Sequence, residues 1–210
     1  MIRIIAIERE YGCGGSVIAE KLAEHLGWKL FDRQITEEIA RRAKVTPAAV
    51  ERCEQKLDPL FYRLAKVFWR GSYERSLPVE GLEAFDTDRL VALMQRVIDD
   101  IATAGNCVIV SRGAPYFLRN HTDLLSVFLF APRDYKVKFV AGLGKSEKEA
   151  NELVDTIDHE RASFIKHYFH KEWPDRPLYH LMFNTALGED LAITTILNLM
   201  DALNKREASS

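Results

Sequence analysis

Cysteine is scarce in this chain of 210 residues: Cys13, Cys53 and Cys107 are its only 3, far apart and outside any CxxC spacing. An odd, scattered set excludes a disulfide framework and a structural zinc site, and points to reduced thiols. Long apolar runs are missing too. The longest candidate, Leu124–Pro132, falls well short of the ~18 residues a membrane span requires. Neither sign of charge is in surplus. The chain has 29 Lys+Arg and 31 Asp+Glu, a formal net charge of -2, without the basic excess that marks a nucleic-acid grip. The 6 histidines fall into neither HExxH nor HxxEH spacing, which removes the helical zinc-hydrolase patterns. No signal-peptide layout opens the chain, because Ile2–Ile7 runs straight into charges. These absences predict one soluble, cytoplasmic domain over residues 1–210, with small molecules rather than nucleic acid or membrane as partners. They leave the oligomeric state open.

What is present alternates. Ile2, Ile4, Ile5, Ala6 and Ile7 form the near-continuous apolar run of a strand buried on both faces. Gly12-Cys13-Gly14-Gly15 follows. Then Ile18, Leu22 and Leu26 recur at helical spacing, with Gly27 at the C-terminal cap. Leu30-Phe31 is a short stub ending in Asp32-Arg33. Residues 34–70 read as helices, with Thr46-Pro47 opening one of them, and residues 71–85 as loop. Leu90, Met94, Val97 and Ile101 predict an amphipathic helix from near Thr87. Strands are expected at Cys107–Val110, Ser126–Phe130 and Leu178–Phe183. Helices are expected around Tyr116–Leu118, over 133–142, from the capping box at Ser146 to about Phe169, and over Leu191–Leu203, with a frayed tail at Ala208–Ser210. Strands alternating with helices predict an α/β fold with a parallel sheet covered on both faces. The helical stretch at about 34–85 and the polar, aromatic stretch at about 142–178 interrupt that alternation. Segments placed there in such folds cover substrates.

A glycine-rich turn between a strand and a helix leaves backbone N–H groups pointing outward at the positive end of the helix dipole, which suits a phosphate. The plainer alternative is a tight turn whose glycines only permit positive φ. Position after the first strand, three glycines among residues 12–15 and Ser16 at the helix start favour phosphate.

Several stretches, in order along the chain, resemble one family. Glu8-Arg9-Glu10-Tyr11-Gly12-Cys13-Gly14-Gly15 is similar to the SREYGSGG opening of the cytidylate kinase-like family, a branch of the P-loop nucleoside monophosphate kinases. Leu30-Phe31-Asp32-Arg33 resembles its FYDR, Val108–Ala114 its VIVGRCA, and Leu129–Pro132 its LxAP. Asp158 to Arg161 with Tyr168-Phe169, and Trp173 onward to Asn184-Thr185, resemble its later motifs. The resemblance implies a P-loop, three-layer α/β/α domain with a five-stranded parallel sheet. It also implies a helical monophosphate-binding insert at about 34–85 and a helical lid at about 142–178. The implied chemistry is transfer from ATP to CMP or dCMP, with Mg²⁺. Arg9, Gly12, Cys13, Gly14, Gly15 and Ser16 would hold phosphates, with the Ser16 hydroxyl near the metal ion. Asp32, Arg33, Arg112 and Asp158 would bind the acceptor, and Arg161, Arg112 and Arg133 would carry charge in the transfer.

Departures from the pattern are informative. In a Walker A loop a lysine reaches the β- and γ-phosphates, and here that position falls on Gly15. Ser111 stands where bacterial cytidylate kinases carry an acid, and Lys136 where the family carries arginine. Phosphoryl transfer depends on positioning and positive charge, so another cation must replace the lysine. Arg9, Arg112, Arg133 and Arg161 are the candidates, with Arg161 favoured because a closing lid would deliver it. Each residue also has a structural reading: Arg112 as a surface arginine, Asp158 and Arg161 as a helix ion pair at i, i+3, Asp32 as a helix cap. Tyr62, Phe68, Trp69 and Tyr73 read as core or interface more than as a base-stacking set, and His167 and His170 as lid surface. Two other functions compete with the kinase. One is a nucleotide-binding regulator with little catalysis; the other is a P-loop kinase for another small acceptor.

Overall fold

The computed structural model describes residues 1–32, Ile35, Glu38 and 87–209. Arg33, Cys53, Thr46-Pro47, the aromatic set from Tyr62 to Tyr73 and the rest of the expected insert lie outside the described residues. Strand β1 (Ile4–Arg9) leads through the glycine turn into helix α1 (Gly15–Leu26), then β2 (Lys29–Phe31). From residue 87 onward come α2 (Thr87–Ala104), β3 (Cys107–Val110) and the short α3 (Ala114–Phe117). Next are β4 (Leu124–Phe130), α4 (Arg133–Gly142) and α5 (Glu147–Phe169), and the chain closes with β5 (Leu181–Asn184) and α6 (Glu189–Ala208).

The five strands form one sheet in the order β2-β3-β1-β4-β5, and every pairing is parallel. All six residues of β1 are buried, as its apolar run requires. Period 2 splits them between two layers. Ile5 and Ile7 pack with Ile18 and Leu22 of α1 and Ile196 of α6. Ile4 and Ala6 face Met94 and Ile98 of α2 and Phe164 of α5. Each such aliphatic side chain, once fully buried, contributes about 1.5–3 kcal/mol. A third, smaller cluster joins Tyr11 to Val137 and Val140 of α4 and to Val154 and Ile157 of α5. The long helix therefore belongs to two cores: its first half rests on α4, its second half on the sheet. No helix among the described residues is long and apolar enough to cross a membrane.

Several boundaries differ from the sequence reading, two of them with a clear cause. The last strand begins at Leu181 rather than Leu178, because Arg176–Leu178 forms a 3-10 turn carrying Pro177. The final helix runs on to Ala208, where a frayed tail was expected. Glu189 and Asp190 in its first turn and Lys205 and Arg206 in its last both complement the helix dipole.

Candidate functional site

The connection from β1 runs out past β3 to β2, while the one from β3 crosses β1 to β4. This reversal opens a crevice at the carboxyl ends of β1 and β3, the place where open α/β sheets bind ligands. Two segments supply its walls.

The first is the glycine turn. Gly12 and Gly14 have φ of +78° and +76°, the left-handed region that glycine enters without steric cost. Gly14 is the N-cap of α1 and offers no side chain to its N–H groups. The first turn of the helix thus keeps donors directed outward, as an anion requires. A Cβ on Gly12 would stand 2.8 Å from Val140 Cγ2 and 2.9 Å from the Lys136 carbonyl, so this glycine also lets the turn lie against α4. Thr185 Oγ1 donates to the Cys13 carbonyl at 2.6 Å and anchors the turn from the other side. Cys13 itself is buried, and burial pushes its thiol pKa up to about 11. Ser16 is half-buried in the first helical turn.

The second segment follows β3. Ser111, Arg112 and Gly113 have φ of 59°, 63° and 69°. For two non-glycine residues this costs of order 1–3 kcal/mol each. The bond from Ser111 N–H to the Ile7 carbonyl, 2.7 Å, fixes the start of the turn. The turn carries Arg112 into the crevice, where it is 5% exposed. Burial and the neighbouring Arg9 and Arg161 pull its pKa down to about 10 against the opposing effect of Asp32. It stays a cation at neutral pH.

Between these walls lies a buried charge cluster. Arg9, at the end of β1, donates from Nη1 to Ser111 Oγ at 2.9 Å, and its Nη2 stands 3.4 Å from Asp32 Oδ2. Glu8, one residue earlier, hydrogen-bonds Ser111; burial lifts its carboxyl pKa above the ordinary value, opposed by Arg161 and Arg9. Arg161 reaches in from α5, donating from Nη1 to the Arg9 carbonyl at 2.7 Å. Glu8, Ser111, Arg112, Arg161, Phe164 and Trp173 line a cavity of about 30 Å³, room enough for ordered water. Trp173 Nε1 is buried there without a hydrogen-bond partner among the described residues.

A second charged group ties α5 to the turn. Lys136 Nζ lies 2.8 Å from both Asp158 Oδ2 and Glu10 Oε2. Burial alone would lower its pKa, but the two carboxylates outweigh it and hold the ammonium above its ordinary range. Asp158 Oδ1 accepts the Tyr11 N–H at 2.7 Å and stands 3.6 Å from Arg161 Nη1.

The structure thus gathers Arg9, Asp32, Arg112 and Arg161 in one crevice beside Gly12–Ser16. Asp158 stands on the glycine-turn side of that crevice. Arg133 is elsewhere: on the outer face it forks onto Asp155 at 2.7 and 3.1 Å and donates to Asn151 at 2.7 Å. Arg33 lies outside the described residues. Glu8, Glu10 and Lys136 were not read from the sequence as site residues; Asp158 was, as an acceptor ligand, and here it holds Lys136 and the Tyr11 N–H. For Glu8 a signal existed, a charge set inside a strand otherwise buried and apolar. No cluster of three or more His, Cys, Asp or Glu suited to a metal ion occurs among the described residues.

Known proteins agree with this architecture. Residues 4–187 match the sequence model described as the cytidylate kinase-like family. Among solved structures, an uncharacterized protein from Eubacterium ventriosum superposes with a TM-score of 0.69 at 23% identity, covering 96% of this chain and 99% of that one. Shikimate kinase from Bacteroides thetaiotaomicron follows at 0.53 and 14% identity, covering 96% and 99%. Shikimate kinase from Acinetobacter baumannii, in complex with shikimate, gives 0.51 and 16%, covering 96% and 94%. These likenesses are of fold. No curated protein matches the chain.

Proposed function

The chain belongs to the cytidylate kinase-like family, and from that premise we propose that it transfers a phosphoryl group from ATP to a nucleoside monophosphate, CMP or dCMP. One observation carries the reading: an uncapped helix N-terminus faces a crevice into which Arg9, Arg112 and Arg161 are all buried. Uncapped N–H groups suit the donor's phosphates, and buried guanidinium groups suit an acceptor anion and the charge developing in transfer. Arg112, delivered by the strained turn after β3, takes the acceptor phosphate. A phosphate oxygen is already ionised and nucleophilic, so no side chain is needed to remove a proton.

Magnesium suits this donor set without a protein cage, since it is commonly held by one or two protein oxygens together with substrate phosphates. Ser16 would be the protein's hydroxyl ligand, and the ion would neutralise charge on the phosphates. The remaining positive charge comes from the arginines.

Glu8 favours a second reading. A buried carboxylate on the cavity wall could accept a proton from a hydroxyl, so a kinase for another small acceptor competes with the CMP enzyme. A regulator that binds nucleotide without turning it over is a third, favoured by Gly15 at the lysine position.

A thermal-shift series with nucleoside mono-, di- and triphosphates, followed by coupled turnover with ATP, separates the three. A ligand at 100 times its Kd adds about 2.7 kcal/mol to stability, so ATP and CMP should each raise Tm. CMP and dCMP should give the highest kcat/KM in a panel with UMP, AMP and shikimate, and Arg112→Ala should raise KM for CMP at least tenfold. A preference for a hydroxyl acceptor selects the second reading. Nucleotide-dependent shifts with no turnover select the regulator.

A further inference from the structure

Gly15 is an expensive residue in its place. It is the first residue of α1, and unlike Gly12 and Gly14 it does not have a positive φ, so its backbone conformation does not call for glycine. Space does. A Cβ at this position would stand 2.8 Å from Arg9 Cδ, 3.2 Å from Arg9 Cβ and 3.3 Å from Cys13 Sγ. The stem of Arg9 lies over Gly15, in the volume a side chain rooted there would enter.

That volume matters because Gly15 is where a Walker loop roots its lysine. The arginine filling it comes from β1, six residues earlier, and carries its guanidinium into the crevice between Ser111 and Asp32. The other cations nearby have different duties. Lys136 is held by Glu10 and Asp158, Arg112 is assigned above to the acceptor phosphate, and Arg161 holds the backbone carbonyl of Arg9 itself. We infer that Arg9 is the catalytic cation of this loop, contacting the donor's β- and γ-phosphates from the space a lysine at position 15 would occupy, and that Gly15 is glycine to admit it. The inference rests on the phosphoryl-transfer reading above. A planar fork of five N–H donors can hold Ser111 on one edge and meet phosphate oxygens on another. The 3.4 Å contact between Arg9 Nη2 and Asp32 Oδ2 is long for a hydrogen bond. Arg161 then becomes a positioning residue, setting the end of β1 from which Arg9 springs.

The test moves the charge between the two roots. Arg9→Met keeps most of the stem and removes the charge; it should lower kcat about 10³-fold or more, the lower end for one arginine on a transferred phosphoryl. Arg9→Lys should recover part of that loss. Gly15→Lys in the intact protein should fall below the parent, because both side chains claim one space. In Arg9→Ala/Gly15→Lys the space is vacated, and turnover should exceed that of Arg9→Ala at least tenfold. Gly15→Ala guards against misfolding, since it leaves every charge in place: it should reduce kcat in the parent and have a smaller effect in an Arg9→Ala background, where the 2.8 Å contact with Arg9 Cδ is gone. Arg9→Met within tenfold of the parent, or a double variant no better than Arg9→Ala, overturns the inference.

Failure of the underlying reading would look different. If the parent turns over no acceptor, ATP affinity carries the same comparison. Arg9→Met should then weaken the Kd for ATP at least tenfold, with recovery in Arg9→Ala/Gly15→Lys. Unchanged affinity rejects Arg9 whatever the acceptor, and a parent that neither binds ATP nor turns over rejects both readings.

Discussion

The carboxylate of Asp158 accepts the backbone N–H of Tyr11 at 2.7 Å, across 147 residues of sequence. That bond joins the long helix α5 to the glycine turn beside which nucleotide phosphates are proposed to lie. Its other oxygen holds Lys136 of α4, so one side chain fastens three segments.

Asp158→Ala strands the Tyr11 N–H and leaves Lys136 with Glu10 alone. An unsatisfied buried donor costs about 1–3 kcal/mol, and urea denaturation should show a loss in that range. Asp158→Asn keeps an acceptor for Tyr11 and should lose less. Equal losses in the two variants would mean that the Lys136 ion pair, and not the Tyr11 bond, holds the helix to the turn.

Two glycines of the turn should separate on stability. Gly12→Ala faces both a positive φ and the backbone of α4 at 2.9 Å. Left-handed strain of ~1–2 kcal/mol combines with overpacking of ~1–3 kcal/mol. Gly14→Ala has the same φ problem, but its Cβ would sit in ordinary contact with the Phe139 ring at 3.6 Å. It should cost about 1–2 kcal/mol by denaturant midpoint, clearly less than Gly12→Ala. The reverse order would show that the turn does not lie against α4 in solution.

Glu8 gives a pH signature whose sign can be worked out. Burial raises its folded-state pKa above the ordinary 4.5, with Arg161, Arg9 and Ser111 opposing. The folded protein therefore keeps a proton that the unfolded chain has released. Its contribution to stability is full below pH 4.5 and is lost as pH rises through the folded-state pKa. Glu8→Gln cannot titrate. The Tm of Glu8→Gln minus that of the parent should grow from about pH 4.5 towards neutrality. A difference that stays flat, or shrinks, over this range would show that Glu8 is ionised without penalty in the fold.

Much of the fold could be read from residue spacing. The apolar run to Ile7 specified a central strand, and Ile18, Leu22 and Leu26 a helix directly behind the glycines, because burial on a strand or helix face imposes period 2 or 3.6 on nearby residues. The number of strands and their parallel pairing came through the family resemblance, while their order did not. The charge cluster was only half legible. Arg112 and Arg161 could be picked out one by one, and Asp158 beside Arg161 from its i, i+3 spacing, but their partners distant in sequence could not. Arg9 meets Ser111 over 102 residues and Arg161 over 152, and such pairings are set by sheet order, on which local periodicity is silent. Arg133 shows the converse. Its place after β4 suggested the crevice, yet the first turn of α4 directs it to Asp155 on the outer face.

Helix α5 runs unbroken through 23 residues, about 35 Å at 1.5 Å per residue. One end is embedded with α4 and Tyr11, while Phe164 and Ile165 towards the other are keyed into the sheet. A stiff rod seated at two points cannot lift off one without prying at the other. Any opening over the crevice is therefore a tilt of the whole rod or a break at its ends, and it would draw Asp158 from the turn and Arg161 from Arg9 in a single stroke. Donor and acceptor pockets built along such a lever would be released together.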